Sequence, residues 1–182
     1  MALTATIRKA ELQISDMDRG YYATHHLTLA QHPSETDERL MVRLLAFALN
    51  ASERLEFGRG LSTEDEPDLW ERDYTGHIVQ WIDLGHPDES RVRRACNRSA
   101  RVQVVTYGGG ASDIWWQKQG RHLARFDMLS VVDLPAEFAQ RWGEQIQRAM
   151  RWNLLIQDGE VQIINDHMQL DVVPAWRKRA AG

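Results

Sequence analysis

The longest apolar run that reads as a strand extends from His77 to Leu84, and it constrains the fold more than any other part of the sequence. Ile78, Val79, Trp81 and Ile82 place apolar side chains on both faces of this strand, as is typical of a strand in the centre of a sheet. We therefore predict that it is a central strand.

The segments after this strand alternate between helix and strand patterns. Asp88 is placed to cap an arginine-rich helix, and Gly108-Gly109-Gly110 separates a strand from a second helix. The predicted elements are strand 77–84, a helix from Asp88 to about Ser99, strand 102–107, helix 111–119 and strand 123–129. This order predicts parallel pairing with right-handed crossovers.

Both ends of the chain carry antiparallel patterns instead. Residues 3–14 and 22–30 predict a hairpin, and Ser34 is placed to cap a helix that continues to Ala48. Residues 135–147 predict another helix, followed by strands 150–157, 161–165 and 170–173, the first two joined by a tight Asp158-Gly159 turn. The prediction is an α/β (α+β) domain over residues 1–182, with a mixed central sheet flanked by antiparallel hairpins and helices.

The composition fits one globular domain and excludes several other classes of protein. The chain has 182 residues, 43% hydrophobic and 26% charged, with a mean hydropathy of −0.50. Its apolar runs are too short to cross a bilayer, and residues 1–9 have no apolar signal core, so we expect a cytoplasmic protein. The single cysteine, Cys96, cannot form an internal disulfide, which agrees with a reducing compartment.

Two aspartates on neighbouring predicted strands are the main candidates for a functional site. Asp68 follows Pro67 at the start of one strand, and Asp83 lies inside the apolar strand 77–84. A buried carboxylate costs several kcal/mol unless it is paired or binds a cation. Either a cation site or a salt bridge from Asp83 to Arg91 or Arg94 would meet this requirement.

Arginines are concentrated just after these aspartates. Five of them lie within residues 91–101, although the net charge of the chain is −4 and its pI is near 6.0. The arginine-rich helix is therefore either a platform for phosphate groups or a solvated helix face.

Four sequence strings together resemble the YaeQ family of small bacterial proteins, nearly from end to end. They are His32-Pro-Ser-Glu-Thr-Asp-Glu38, Glu66-Pro-Asp-Leu-Trp70, Trp81-Ile-Asp-Leu-Gly85-His-Pro-Asp-Glu89 and Ile114-Trp-Trp116. This family is similar in fold to the PD-(D/E)XK nucleases. The resemblance implies a restriction-endonuclease-like core and does not supply an activity.

Carried over residue by residue, the resemblance implies a variant nuclease site. Asp68 and Asp83 match the two motif acids, and Glu38, or less favourably Glu35, matches a glutamate from the first core helix. In such nucleases these oxygens hold Mg²⁺, which activates water and neutralises charge on the phosphate.

The motif lysine is missing from this chain. Gly85 stands where the lysine would be, and Arg91 or Arg94 is the candidate substitute as a phosphate clamp.

Three functions follow from these residues. The first is a Mg²⁺-dependent phosphodiesterase acting on DNA or RNA, in which Asp68, Asp83 and Glu38 bind the metal. The second is an inactive nuclease-like fold that binds nucleic acid or protein. The third is an interaction protein in which the carboxylates form only salt bridges. The sequence leaves the oligomeric state open.

Overall fold

The computed structural model describes residues 4–59, 61 and 63–182, and the chain divides into two compact units. Unit 1 comprises Met1–Ser52 and Glu137–Pro174, and unit 2 comprises Glu53–Ala136 and Ala175–Gly182. The strands are β1 (Thr6–Asp16), β2 (Tyr21–Gln31), β3 (Leu55–Phe57), β4 (Leu69–Arg72), β5 (Ile78–Leu84), β6 (Ser99–Thr106), β7 (Leu129–Asp133), β8 (Ala149–Gln157), β9 (Glu160–Ile164), β10 (Gln169–Val172) and β11 (Ala175–Lys178). The helices are α1 (Asp37–Asn50), α2 (Glu89–Arg98), α3 (Gly110–Leu123) and α4 (Ala136–Gly143).

Unit 1 contains a five-stranded sheet with the order β10-β9-β8-β1-β2. Its strands are antiparallel except that β1 and β8 run parallel. Alternate residues of β1 are buried, and the nine consecutive buried residues of α1 supply much of the core. Phe47 of α1 packs edge-on against His25 of β2, and Trp142 of α4 packs against Trp152 of β8.

Unit 2 contains a six-stranded sheet with the order β11-β7-β6-β5-β4-β3. Strands β5, β6 and β7 are parallel and are connected by α2 and α3, whereas the outer strands are antiparallel. The core joins α2, α3 and the strands through buried residues that include Trp81, Val92, Cys96, Val104 and Trp115. Cys96 is 8% exposed, and burial raises the pKa of its thiol to about 11.

The predicted mixed α+β fold class is confirmed, and β5 is a central strand with parallel β6 beside it. The structure has two mixed sheets where the sequence indicated one central sheet with flanking hairpins. Strands β1, β2 and β8 to β10 form their own sheet because β1 pairs with β8.

Several predicted boundaries differ from the structure. The cap of α1 is Thr36, whose hydroxyl accepts from Arg39 N at 3.1 Å, because the Ser34 side chain is bound to His32 instead. The strand predicted at 123–129 was wrong, since α3 continues to residue 123 and β7 begins at residue 129. Residue 3 of the predicted first strand lies outside the described residues.

No helix in the described part of the chain is both long enough and apolar enough to span a membrane.

Candidate carboxylate and arginine site

Strands β4 and β5 bring the two candidate aspartates together in unit 2. Leu69 pairs with Ile82 in this antiparallel ladder, so Asp68 and Asp83 occupy the next opposed positions. Side chains alternate along strands, and both carboxylates therefore lie on the same face of the sheet. Asp68 is 4% exposed and Asp83 is 2% exposed, so both side chains are buried away from bulk solvent.

Arg91 of α2 forms a two-pronged ion pair with Asp83. Its Nε donates to Asp83 Oδ2 at 2.8 Å, and its Nη2 donates to Asp83 Oδ1 at 3.0 Å. The helix is positioned for this contact by its cap, because Asp88 Oδ1 accepts from Arg91 N at 2.8 Å. A planar guanidinium matches both carboxylate oxygens at once, so the pair fixes the orientation of both side chains.

The ionisation of Asp83 reflects three neighbours as well as its burial. Burial raises the pKa of Asp83 above its ordinary value, Arg91 opposes that shift, and the charge of Asp68 adds to it. The indole N–H of Trp81 also lowers the pKa of Asp83, although this contact falls short of hydrogen-bond geometry. Asp68 is held by the backbone, since Leu84 N donates to its Oδ2 at 2.9 Å.

Two arginines of α2 also hold the acidic segment that precedes β4. Arg91 donates to the carbonyl oxygens of Glu64 and Glu66, at 2.9 and 3.1 Å, and Arg98 donates to that of Asp65 at 2.9 Å. Three successive carbonyls are thus bound by one helix. Both guanidinium groups also lie near the face of the Trp81 ring, at 5.9 Å for Arg91 and 5.2 Å for Arg98.

The sequence did not reveal these backbone partners or the part played by Arg98. One signal was available, because Arg91 and Arg98 are seven residues apart and so share a face of α2. The acceptors, in contrast, are carbonyl oxygens of a loop, and no residue pattern marks them.

The backbone conformation at Gly85, the position predicted for the motif lysine, does not suit a lysine. Gly85 has a φ of 94°, and its N–H donates to Val105 O at 2.9 Å. Residues with a side chain rarely adopt such a φ, so a lysine here would be strained. The conformation of the turn at the end of β5 therefore disfavours a lysine at position 85.

The remaining predicted site residues are one arginine of α2 and two glutamates of unit 1. Arg94 is exposed on α2, three residues after Arg91. Glu38 belongs to unit 1, where it is half-buried in the first turn of α1 with its backbone against Gly143. Glu35 is buried in unit 1 and bonded to Arg39 and Arg43, at 2.8 and 2.7 Å, which occupies its oxygens.

Among residues 4–59, 61 and 63–182, no group of three or more His, Cys, Asp and Glu side chains is arranged to hold a metal ion. The structure thus brings together Asp68, Asp83 and Arg91, with Arg94 exposed on the same helix. The role of Glu38 as a third ligand stays a prediction.

A second polar cluster, which the sequence analysis did not predict, lies at the carboxyl ends of β5 and β6. His86 Nε2 is 2.8 Å from Ser112 Oγ, and that hydroxyl donates to Tyr107 O at 2.8 Å. Ser112 is fully buried, and its hydroxyl is already hydrogen-bonded to His86 and Tyr107. These bonds hold the start of α3 in place, and the hydroxyl is not exposed as a nucleophile.

Comparison with known proteins shows that this mixed α+β chain resembles bacterial proteins that all carry the same description. The family model described as "YaeQ protein" matches residues 1–174. The protein named "Uncharacterized protein YaeQ" from Escherichia coli K12 is 43% identical over 179 residues, which cover 98% of this chain and 99% of that protein. Its Salmonella typhi counterpart is 42% identical over the same length. The chain belongs to the YaeQ family.

Solved structures agree with this assignment. The crystal structure of YaeQ protein from Xanthomonas axonopodis pv. citri has a TM-score of 0.94 and 61% identity, and the match covers 98% of this chain and all of that one. The YaeQ structure from Pseudomonas syringae has a TM-score of 0.93 and 34% identity, with 98% of each chain covered.

Proposed function

We propose that this protein is a variant of the PD-(D/E)XK nuclease-like fold that binds a divalent cation, Mg²⁺, at Asp68 and Asp83 and hydrolyses phosphodiester bonds in nucleic acid. The observation that carries the proposal is the placement of two buried carboxylates opposite one another on β4 and β5. Carboxylate oxygens are the ligands that Mg²⁺ prefers.

The charge balance at the site supports a cation. Asp68 and Asp83 carry two negative charges when ionised, whereas Arg91 supplies one positive charge. Mutual repulsion and burial both disfavour the ionised form of Asp83, and a divalent cation would relieve both effects. Each carboxylate oxygen has two lone pairs, so Asp83 retains acceptor capacity beyond its bonds to Arg91.

The unpartnered indole of Trp81 is a further argument for a ligand. Its Nε1 is buried and has no hydrogen-bond acceptor among the described residues, and it lies beside the Asp83 carboxylate. A buried donor without an acceptor calls for an explanation, and a bound water or ion is one such explanation. A metal-bound water or a phosphate oxygen would satisfy this N–H.

Arg91 and Arg94 would act on the phosphate and not as proton acceptors, because arginine stays protonated in proteins. On cation binding, Arg91 would exchange part of its contact with Asp83 for a contact with a phosphodiester oxygen. The exposed Arg93, Arg94 and Arg98 extend the positive charge along α2.

The alternative is an inactive nuclease-like fold that binds nucleic acid or protein without a metal. The closed Asp83–Arg91 pair favours this alternative, because a guanidinium can take the place of the cation permanently. The two functions differ in one measurable property, which is saturable binding of a divalent cation.

The test is calorimetric titration of Mn²⁺ into the metal-free protein. We expect saturable binding in the wild type and none in Asp83→Ala or Asp68→Asn. The matched control is Asp171→Ala, which removes an exposed carboxylate from β10 and should bind as the wild type does. Circular dichroism of each variant establishes that it is folded, and retained Mn²⁺ affinity in both site variants would refute the cation site.

Nuclease assays on single- and double-stranded DNA and RNA then separate catalysis from binding. Hydrolysis that requires Mg²⁺ and is lost in Asp83→Ala is the expected result. If the wild type binds no Mn²⁺, the alternative predicts nucleic-acid affinity that falls steeply with salt and is weakened by Arg94→Ala. Affinity that does not change with salt would exclude a phosphate-binding surface.

A further inference from the structure

Strand β2 forms an outer edge of the unit 1 sheet and is unusually long for an edge strand. It pairs with β1 on one side only, over eleven consecutive positions from Tyr21 to Gln31 and without a bulge. The opposite edge strand, β10, has four residues.

The backbone groups that face away from β1 can be identified from two hydrogen bonds. Lys9 N donates to Arg148 O at 2.8 Å, so the odd-numbered residues of β1 face β8, and their partners in β2 face outward. Consistently, Ala30 O accepts from Arg43 of α1 at 3.1 Å and not from β1. The outward-facing residues are therefore the even-numbered ones of β2.

Four of these residues, Tyr22, Thr24, His26 and Thr28, present four N–H groups and four carbonyls at the edge. No hydrogen bond reaches these backbone groups from within the part of the chain that the structure describes. All four residues are exposed, and the intervening residues of β2 from 21 to 27 are only half-buried.

The edge lacks the devices that usually prevent strand pairing. Proteins protect open edges with short strands, proline, bulges or charged side chains, lysine above all. The sequence Tyr-Tyr-Ala-Thr-His-His-Leu-Thr-Leu-Ala-Gln has no proline, lysine, arginine, aspartate or glutamate. Such an edge favours the addition of another strand.

We propose that the β2 edge binds a second copy of this chain, with the two β2 strands antiparallel about a twofold axis that passes beside His25. In this register Tyr22 pairs with the partner's Thr28, and Thr24 pairs with the partner's His26. This register pairs the eight outward groups of these four residues with one another and does not use Ala30, whose carbonyl already accepts from Arg43. Each engaged residue exchanges two hydrogen bonds with its opposite. The two five-stranded sheets become one ten-stranded sheet.

A second copy fits this edge because the pairing is isologous and sets no like charges opposite one another. The residues involved are hydroxyl, imidazole and aromatic side chains, which pair well across antiparallel strands. A charged peptide, in contrast, would meet no complementary charge on β2.

Sedimentation velocity over a concentration series tests the proposal, using two charge variants that differ at one position. Thr24→Lys with His26→Lys places lysine opposite lysine twice, whereas Thr24→Glu with His26→Lys places glutamate opposite lysine twice. Both variants carry the same substitution at position 26, beside Glu11 of β1. Any effect of that substitution on folding is therefore common to the two variants. We expect the first variant to weaken self-association by at least about tenfold and the second to retain it.

A third variant, Thr24→Pro, removes an outward N–H without removing a bond to β1, and it should also weaken association. Amide hydrogen exchange at residues 22, 24, 26 and 28 should slow as the protein concentration rises. A wild type that stays monomeric throughout the series, or variants that all associate as the wild type does, would overturn the proposal.

Discussion

Arg91 is the residue on which the candidate site depends most. It neutralises Asp83 and binds the backbone of the acidic segment before β4 at the same time. A buried ion pair is a weak source of stability as a whole, but removing one partner leaves the other charge buried without compensation. The structural role of this ion pair can therefore be tested through the pH dependence of stability.

Arg91→Ala should destabilise the protein by about 3 kcal/mol near neutral pH, because Asp83 becomes an unpaired buried carboxylate. Burial already raises the pKa of Asp83, and the loss of Arg91 raises it further. A raised pKa in the folded state means that stability is present below the unfolded-state pKa and is lost as pH rises through the folded-state value. The loss should therefore be small at acidic pH and grow toward neutral pH.

Urea unfolding across this pH range measures the effect, and Arg93→Ala is the matched control. Arg93 is an exposed arginine of the same helix, and its removal should change the free energy of unfolding by no more than about 0.5 kcal/mol. An Arg91→Ala effect that does not vary with pH would show that Asp83 is not the group left unpaired.

At the scale of single elements, the end of α4 meets the start of α1 at Gly143. A Cβ atom at this position would lie 2.8 Å from the Cα atom of Glu38, which is closer than real contacts allow. The helices must separate to admit even a methyl group, because the obstacle is backbone. This close approach also fixes where the first turn of α1, with Glu38, sits within unit 1.

Gly143→Ala should cost about 1 to 3 kcal/mol through this overlap. Gly110→Ala is the control, since Gly110 begins α3 with open space around its Cα and should be neutral or up to about 1 kcal/mol stabilising. Thermal denaturation of both variants measures the difference. A Gly143→Ala protein that melts at or above the wild-type temperature would contradict the contact.

The elements that the sequence predicted well are those with local signals. Asp88 caps α2 as expected, and the Asp158-Gly159 turn has φ values of 53° and 76°, which suit a tight hairpin. Strand β3 has only three residues, too few to show a periodicity. In the sequence β11 looks like part of a basic tail, and it is recognised as a strand only through its pairing with β7. Lys178 in that strand donates to the carbonyls of Phe126 and Leu129, which are distant in sequence.

The candidate site shows the same division between local and long-range information. Asp68, Asp83 and Arg91 could be selected because charged residues stand out beside apolar strands. Their arrangement could not be predicted from the sequence, because the ion pair depends on how α2 packs over β5 and on the carbonyls of residues 64–66. The conformation of Gly85 is likewise a property of the turn and not of the residue string.

For the molecule as a whole, the important feature is that unit 1 is built from two segments that lie far apart in the sequence. Its sheet joins β1 to β8, with Lys9 opposite Ala149, whereas β3 to β7 all lie between them in sequence. The order of elements in the sequence suggested a single sheet because pairing across such a separation leaves no local trace.

A chain ending at residue 147 should lose the protection of β1 amides from hydrogen exchange, because three of the five strands of that sheet are absent. A chain ending at residue 174 is the control, since it lacks only β11 of unit 2. Hydrogen exchange followed by mass spectrometry compares the two with the full chain. Persistent protection of β1 in the shorter protein would show that the β1–β2 hairpin is stable without β8.

The parallel pairing of β1 with β8 also has a consequence for synthesis on the ribosome. About 140 residues separate the paired positions. At a synthesis rate of about 5 to 20 residues per second, β8 is therefore made roughly 7 to 30 seconds after β1. During that interval the inner edge of β1 is open, together with the uncharged outer edge of β2. The nascent chain therefore exposes two strand edges that can pair with other chains, and only one of them is later covered, by β8. The yield of folded protein in the cell should depend on how well these edges are protected until residue 157 has left the ribosome.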